Sequence, residues 1–297
     1  MITAGLVKEL REKTGAGMMD CKKALTAVDG DIEKAITLLR EKGIASAGKK
    51  ADRIAAEGAV ATFISEDGKI GAIAEVNCET DFVAKNESFQ AFVATVAQTV
   101  ATNDGDVTAI IEPQTKELIA NIGENIVARR CEKFVVDGAG YVSSYIHMGG
   151  KIGVMVQFGV QDAQVCDKED FVVFAKDIAM HTAAAAPVYL TEEEVPADVI
   201  ASEKEILMHQ AINEGKPANI AEKMVAGRIQ KMFKEQCLLD QIFVKNQDFT
   251  IQKYVEAKGK EFGTGICIKK FVRYQMGEGL EKKQENFAEE IAKQVNA

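Results

Sequence analysis

Residues 58–76, GAVATFISEDGKIGAIAEV, decide the fold of this chain, because residues 140–158, GYVSSYIHMGGKIGVMVQF, repeat them. A shift of 82 residues aligns the two stretches without a gap and leaves seven positions identical, including Gly68/Gly150 and Gly71/Gly153. Each copy has the pattern of two strands around a glycine turn, followed by a connector and an amphipathic helix. The repeat therefore predicts an α+β protein with two related core units.

The connectors of the two copies are equally long but chemically different. The first contains Thr80-Asp81-Phe82-Val83, and Ala163-Gln164 stands where Asp81-Phe82 would fall in the second. A bulky ring in a polar connector either packs locally or inserts into a partner. Because the second copy makes the same connection without an aromatic residue, the sequence favours a partner contact for Phe82.

The first 43 residues predict a three-helix head, with apolar stripes through Leu6 and Leu10, Cys21 and Leu25, and a third helix after Asp31. Met18 and Met19 are adjacent at the start of the second helix, about 100° apart around its axis. They cannot both enter one narrow core stripe, so at least one is expected to be an exposed, adaptable contact residue. The alternative is that both fill the bundle.

The remaining chain divides by composition and pattern. Between Pro187 and residue 236, two helical segments separated by Gly215-Lys216-Pro217 predict an antiparallel coiled-coil hairpin. Residues 242–275 predict strands, and 281–296 a final amphipathic helix. The full division is head 1–43, linker 44–57, core unit 1 58–139, core unit 2 140–186 and 237–279, hairpin insert 187–236 and C-terminal helix 280–297.

Composition and charge restrict the function classes. A net charge of −9 argues against general nucleic-acid binding. Residues 1–57 carry 11 Lys and Arg against 9 Asp and Glu, so a slightly basic head precedes an acidic body. The six scattered cysteines predict buried, reduced thiols. No secretion signal and no run of 18 apolar residues is evident, so we expect a cytoplasmic protein that does not bind membranes.

The sequence offers little catalytic chemistry. The three histidines, His147, His181 and His209, have no nucleophile or orienting carboxylate at a recognisable spacing. No phosphate-binding glycine motif and no metal-ligand spacing occurs, so we expect no catalytic residue, no metal site and no cofactor. His181 is expected to be packed in an Ala-rich helix. His147 follows a predicted strand near a turn, and it either contacts a partner or is an exposed residue without a role in binding.

Several longer motifs resemble the bacterial translation elongation factor Ts family. They run in order along essentially the whole chain and are LVKELR at 6–11, TGAGMMDCKKAL at 14–25, EVNCETDFVAK at 75–85, IGEN at 122–125, GKP at 215–217 with IAEKMV at 220–225, and GEG at 277–279. Residues 232–262 match that family only loosely.

The resemblance implies a guanine-nucleotide exchange factor for the GTPase elongation factor Tu in translation. It implies a ubiquitin-associated-type head, a two-part core, a protruding coiled coil and a C-terminal helix. At the matching positions, Thr80, Asp81, Phe82 and Val83 would enter the GTPase near its magnesium site. The other implied contact residues are Met18, Met19, Lys22, Lys50, Ile122, Gly123 and His147.

Two alternatives remain open. A ubiquitin-associated-type adaptor would bind its partner through the head and leave nucleotide release unchanged. An enzyme would instead bind a small-molecule ligand between the two core units.

Overall fold

The computed structural model describes residues 2–48 and 50–281, without the side chains of residues 44–47. The helix predicted over 280–297 therefore lies almost entirely outside the described residues. Within them, the chain is α+β and contains ten α-helices and two three-stranded antiparallel sheets.

The two sheets have the same construction. In each, the outer strands pair with a central strand, in the order β1-β2-β3 and β4-β5-β6. The strands are β1 Glu57–Ile64, β2 Ile70–Cys78, β3 Val127–Val135, β4 Gly140–His147, β5 Ile152–Val160 and β6 Ile266–Gln275. The predicted hairpins of both copies are thus confirmed as β1-β2 and β4-β5.

The helices form the head, the outer layers of the core and a separate pair. Their bounds are α1 Ala4–Thr14, α2 Met18–Ala27, α3 Ile32–Gly48, α4 Asp81–Ala84, α5 Glu87–Thr102, α6 Val107–Ile122, α7 Glu169–Ala185, α8 Ala197–Asn213, α9 Ala218–Gln236 and α10 Ile251–Phe262. Short 3-10 turns occur at Ala163–Asp167, Glu192–Glu194 and Leu238–Asp240.

The core has four layers, helix on sheet on sheet on helix. The inner faces of the sheets meet through an apolar cluster that includes Val60, Ile73 and Phe134 on one side and Val142 and Met155 on the other. Helices α4 to α6 cover the outer face of the first sheet, and α7 and α10 cover that of the second. Both sheets are therefore buried between apolar layers, which strongly fixes their strand register.

The two copies meet through reciprocal contacts. Val60 donates its backbone N–H to the carbonyl of Gly150, and Val142 donates to that of Gly68, each over 2.8 Å. A Cβ at Gly71 would collide with Val142, and one at Gly153 would collide with Val60. The glycines shared by the two copies thus allow the sheets to approach closely, and the repeat is an approximate two-fold relation in space.

The third strands extend this relation with a different shift, 140 residues. The Arg130 guanidinium lies 4.3 Å from the ring centre of Tyr274, and the Lys270 ammonium lies 3.9 Å from that of Phe134. Matching irregularities interrupt the register at Glu75/Val76 and at Gln157/Phe158. The sequence did not reveal this second relation because few residues of β3 and β6 are identical.

The head and the hairpin region follow the predicted helical segments. Buried residues of α1, α2 and α3, among them Leu10, Leu25 and Ala35, share one small core. Helices α8 and α9 pack on each other through Leu207, Val225 and other apolar residues, and their bounds agree with the two segments predicted for the hairpin.

The structure corrects two predictions. Residues 251–262 form a helix instead of a strand, because Thr250 caps it and Ile251, Val255 and Gly259 recur every four residues on its buried side. The thiols are not uniformly buried, since Cys131 and Cys267 are exposed on the third strands.

Candidate functional site

Phe82 is the most exposed large apolar side chain among the described residues, with 82% of its surface accessible. It lies in α4, the single helical turn that follows β2. The ring does not pack locally, whereas the neighbouring Ala84 is buried against the first core unit. Local packing therefore does not account for an aromatic residue at this position.

A carboxylate from a distant segment fixes the start of α4. Glu124 accepts the Thr80 hydroxyl at 2.6 Å and the backbone N–H groups of Glu79 and Thr80 at 3.1 and 3.0 Å. The Thr80 hydroxyl in turn accepts the N–H of Val83, as a helix N-cap does. These contacts restrict the start of α4, the helical turn that carries Phe82.

A second set of contacts runs in the opposite direction. The Glu79 carboxylate accepts the backbone N–H of Asn125 at 2.7 Å and pairs with Arg53 at 3.3 Å. The Asn125 amide donates to the carbonyls of Ala51 and Arg53. Residues Glu79, Glu124 and Asn125 were not among the predicted site residues, although the motifs around them were recognised, because their role is to position the site.

Asp81 is exposed beside Phe82 and is paired within its own helical turn. Its carboxylate accepts the Lys85 ammonium at 2.7 Å, and this hydrogen bond holds the pKa of Asp81 below its usual value. The group is therefore ionised at neutral pH. An exposed pair of this kind is weak and easily exchanged, so the carboxylate remains accessible to a partner.

Ile122 and Gly123 lie immediately before the residues that hold α4. Helix α6 ends at Ile122, and Gly123 closes it in the left-handed conformation, with φ of 89°. Gly123 is exposed and Ile122 is half-buried. The structure thus brings these two predicted site residues next to Thr80, through Glu124.

The head packs on the same helix, α6, through α3. A Cβ on Gly15, in the turn between α1 and α2, would lie 3.3 Å from the Asn121 amide near the end of α6. Met18 and Met19 follow that turn and are both exposed, by 57% and 61%. The sequence predicted that at least one of the two would be exposed. Because both are exposed, the alternative that both fill the bundle is wrong.

The two predicted lysines differ in their surroundings. Lys22 is exposed on α2, one turn after Met18 and Met19. Lys50 is half-buried, and its ammonium donates to the carbonyl of Ile119 in α6 at 3.4 Å. Lys50 therefore helps to join the linker to α6.

His147 ends β4, in the second core unit. It is exposed, its ring stacks on that of Tyr145, and its Nδ1 lies 3.1 Å from the Tyr145 hydroxyl. The turn after it reaches the first core unit, where Val60 bonds to Gly150. His147 thus lies on β4, which contacts β1 of the first sheet. The first residue of β1, Glu57, pairs with Cys78, which lies three residues before α4.

His181 is packed, as predicted. It is fully buried, with Nε2 3.0 Å from Gln241 Oε1 and Nδ1 accepting the N–H of Val244. Among the described residues, no group of His, Cys, Asp and Glu side chains is arranged to hold a metal ion. In the same part of the chain, no helix is long and apolar enough to cross a membrane.

The fold is a duplicated α+β scaffold that carries an exposed aromatic side chain on the turn after β2. A family model described as Elongation factor TS matches residues 79–278. The chain belongs to this family, whose members are nucleotide exchange factors of translation elongation and not catalytic enzymes.

Relatives named elongation factor Ts cover the whole length. The protein of Clostridium novyi (strain NT) is 53% identical over 311 residues, covering 100% of this chain and 99% of the relative. That of Clostridium botulinum (strain Alaska E43 / Type E3) is 54% identical over 308 residues, with 99% of both chains covered. The Clostridium perfringens (strain SM101 / Type A) relative is 54% identical over 306 residues, with the same coverage.

Proposed function

We propose that this protein binds elongation factor Tu in its GDP-bound and nucleotide-free states and promotes GDP release by disturbing the magnesium and phosphate site. The observation that carries the proposal is Phe82, an almost fully exposed ring on a turn that Glu124 holds in place. Thr80, Asp81, Phe82 and Val83 form the part that enters the GTPase. Met18, Met19, Lys22, Lys50, Ile122, Gly123 and His147 support or extend the contact.

The physical requirement for exchange is a negative coupling between factor and nucleotide. A GTPase holds its nucleotide partly through Mg²⁺, which bridges phosphate oxygens and protein ligands. Displacing the groups around the metal weakens GDP binding, and by reciprocity the incoming nucleotide weakens factor binding to the same extent. Burying the Phe82 ring in the GTPase would supply about 1.5–3 kcal/mol toward the nucleotide-free state.

Pre-organisation explains why the ring lies on a fixed turn. A flexible connector would lose conformational entropy on insertion, and that loss would be subtracted from the binding free energy. The hydrogen bonds from Thr80 and Glu79 to Glu124 already restrict the turn in the free protein. Most of the free energy of burying Phe82 is thus retained for distorting the nucleotide site.

The test is the rate at which labelled GDP leaves elongation factor Tu in the presence of the full-length protein. Phe82→Ala should lower the maximal stimulated rate by roughly ten- to a hundredfold, the equivalent of the burial energy given above. Gln164→Ala, the same position of the other copy, should leave the rate unchanged. A stimulated rate that Phe82→Ala leaves intact would remove the ring from the mechanism.

The adaptor reading is favoured only by the exposure of Met18 and Met19 in the head. It predicts that full-length protein binds elongation factor Tu without accelerating GDP release, and that Met18→Ala with Met19→Ala abolishes binding while Phe82→Ala does not. Stimulated release by the wild-type protein would reject it.

The architecture completes the proposal. We assign residues 1–43 to a ubiquitin-associated-type head, 44–57 to a linker, 58–139 to core unit 1, and 140–186 with 237–279 to core unit 2. We assign residues 187–236 to a coiled-coil insert; the C-terminal helix expected over 280–297 lies almost entirely outside the described residues. The protein acts in the cytoplasm, without direct nucleic-acid or membrane contact, in keeping with its acidic charge.

A further inference from the structure

The turns of the two copies have different conformations although they connect equivalent strands. In the first copy, Ser65 and Asp67 stabilise the turn: the Ser65 hydroxyl bonds to the Asp67 carboxylate at 2.6 Å, and both side chains accept backbone N–H groups. Of the residues in that turn, Gly68 has a positive φ. The first turn is thus built from ordinary polar turn chemistry.

The second turn places three consecutive residues in the left-handed region. Met148, Gly149 and Gly150 have φ of 48°, 64° and 97°. Glycine adopts this conformation without cost, but methionine does not, because its Cβ approaches the following carbonyl. Met148 nevertheless occupies the first of these positions, and 67% of its side chain is exposed. Neither packing nor turn formation accounts for a methionine there.

The position of the turn supplies a reason. Gly150 lies against Ala59, since a Cβ at Gly150 would be 3.0 Å from that of Ala59. Ala59 belongs to the same apolar cluster as Val83 and Ala84 of α4. The turn of the second copy and the helical turn that carries Phe82 therefore both contact β1, although they are more than 60 residues apart in sequence.

At the other end of the core, the turn of the first copy contacts β4 of the second copy, as the turn of the second copy contacts β1. Gly68 lies against Tyr141 of β4, and Val142 bonds to its carbonyl. Here the residues equivalent to Phe82 and Met148 are Gln164 and Glu66, both polar. Of these four equivalent positions, the two at the Phe82 end are thus apolar and the two at the other end are polar.

We propose that Met148 is a further contact and specificity residue for the partner GTPase, next to the region that Phe82 enters. This inference rests on the proposed function. Its partner surface is apolar and soft enough to accept a flexible thioether, because methionine adapts its shape to irregular apolar surfaces. His147, stacked on Tyr145, borders the contact and directs the turn toward the partner.

The substitution Met148→Gly separates a contact role from a structural one, because the two roles predict opposite effects. Glycine fits the left-handed conformation better than methionine, so the melting temperature of the free protein should stay level or rise. If Met148 contacts the GTPase, the factor concentration for half-maximal GDP release should increase by about three- to tenfold, as expected for losing a partly buried side chain. The maximal rate should remain near that of the wild type, because Met148 does not enter the nucleotide site.

Two further variants complete the design. Glu66→Gly makes the same change in the other turn and should leave the half-maximal concentration unchanged, whereas Met148→Leu keeps an apolar side chain and should restore most of the affinity. An unchanged half-maximal concentration with Met148→Gly, or an equal increase with Glu66→Gly, would overturn the inference. If the wild-type protein itself fails to stimulate release, the proposed function fails first, which is a distinguishable result.

Discussion

The two ends of the duplicated core have the same strands and connections but carry different exposed side chains. At one end, α4 with the exposed Phe82 and the turn with the exposed Met148 both contact β1. At the other, a 3-10 turn with Gln164 lies on the same side as the turn with Glu66. The residues that both copies share are mainly glycines and apolar strand residues, several of which join the sheets. Positions that differ between the copies therefore show what the shared scaffold does not require, as Phe82 and Met148 do at one end.

A buried charge in one copy provides the most severe test of this comparison. Glu75 is fully buried and pairs with Arg129 at 3.3 Å and Arg130 at 2.5 Å. It also accepts the backbone N–H of Gly277 at 2.7 Å, and Arg129 donates to the carbonyl of Glu278. This carboxylate thus ties the turn after β6 to the first sheet.

The same position of the second copy is Gln157, at the matching strand irregularity. Its Oε1 is buried and has no hydrogen-bond partner among the described residues. The equivalent of Arg130 is Lys270, which lies over the Phe134 ring as Arg130 lies over that of Tyr274. A carboxylate is therefore not required to build the irregularity, and Glu75 serves the link to residues 277–278.

Substituting methionine at both positions should have very unequal effects. Glu75→Met leaves two partly buried arginines without their carboxylate and should lower the free energy of unfolding by about 3 kcal/mol. Gln157→Met removes an amide oxygen that has no partner and should change it by less than about 0.5 kcal/mol. Urea denaturation of the two variants and the wild type measures both. If both variants lost the same free energy of unfolding, the strand irregularity itself would need a polar side chain, and the charge of Glu75 would not matter.

The glycines that join the sheets should instead behave equally in the two copies. Gly71→Ala and Gly153→Ala each place a methyl group against a valine of the opposite sheet. Each should lower the free energy of unfolding by about 1–3 kcal/mol, the usual cost of overfilling a packed core. Gly227 lies in α9, and a Cβ added there would have no neighbouring atom within 4 Å. Gly227→Ala should therefore stabilise the protein by ~1 kcal/mol through helix propensity. A large difference between Gly71→Ala and Gly153→Ala, measured in the same urea series, would argue against a two-fold relation between the sheets.

Much of this fold could be predicted from the sequence, because the strand pairs repeat with a constant spacing. The β1-β2 and β4-β5 hairpins follow from the shared glycines, and the α8 and α9 bounds follow from Gly215-Lys216-Pro217. The third strands could not be paired in this way, since β3 and β6 obey a different shift and share little identity. Helix α10 was mistaken for a strand because apolar residues in its neighbourhood mask the four-residue spacing of Ile251, Val255 and Gly259.

The exposure of Phe82 could be predicted from the sequence, whereas the residues that hold its turn could not. Phe82 was singled out because Gln164 replaces it in the other copy, and its exposure confirms that local packing does not explain it. Glu124 acts from 44 residues away, through hydrogen bonds to Thr80 that only the folded chain brings together. Sequence patterns report periodic faces and repeats, but they carry no signal for a single polar contact between distant loops.

The smallest expected effect is on the pH dependence of stability, and it concerns His181, which has no histidine counterpart in the first copy. His181 occupies the position of Thr99, whose hydroxyl bonds to the carbonyl of Thr95 within its own helix. Burial lowers the pKa of His181 below the ordinary value of 6.5, and the Gln241 hydrogen bond opposes this only in part. The neutral ring is required because Nδ1 accepts an N–H from Val244 and cannot also carry a proton there.

The sign of the pH dependence follows from this depressed pKa. Above pH 6.5 the ring is neutral in both the folded and the unfolded chain, so His181 does not change stability with pH. As the pH falls below 6.5, the unfolded chain binds a proton that the folded protein excludes, and the free energy of unfolding decreases. We expect that His181→Gln, compared with wild type in urea titrations from pH 7.5 to 5, flattens this decrease. The same acid-side slope in wild type and His181→Gln would show that carboxylates, and not this one histidine, produce the decrease.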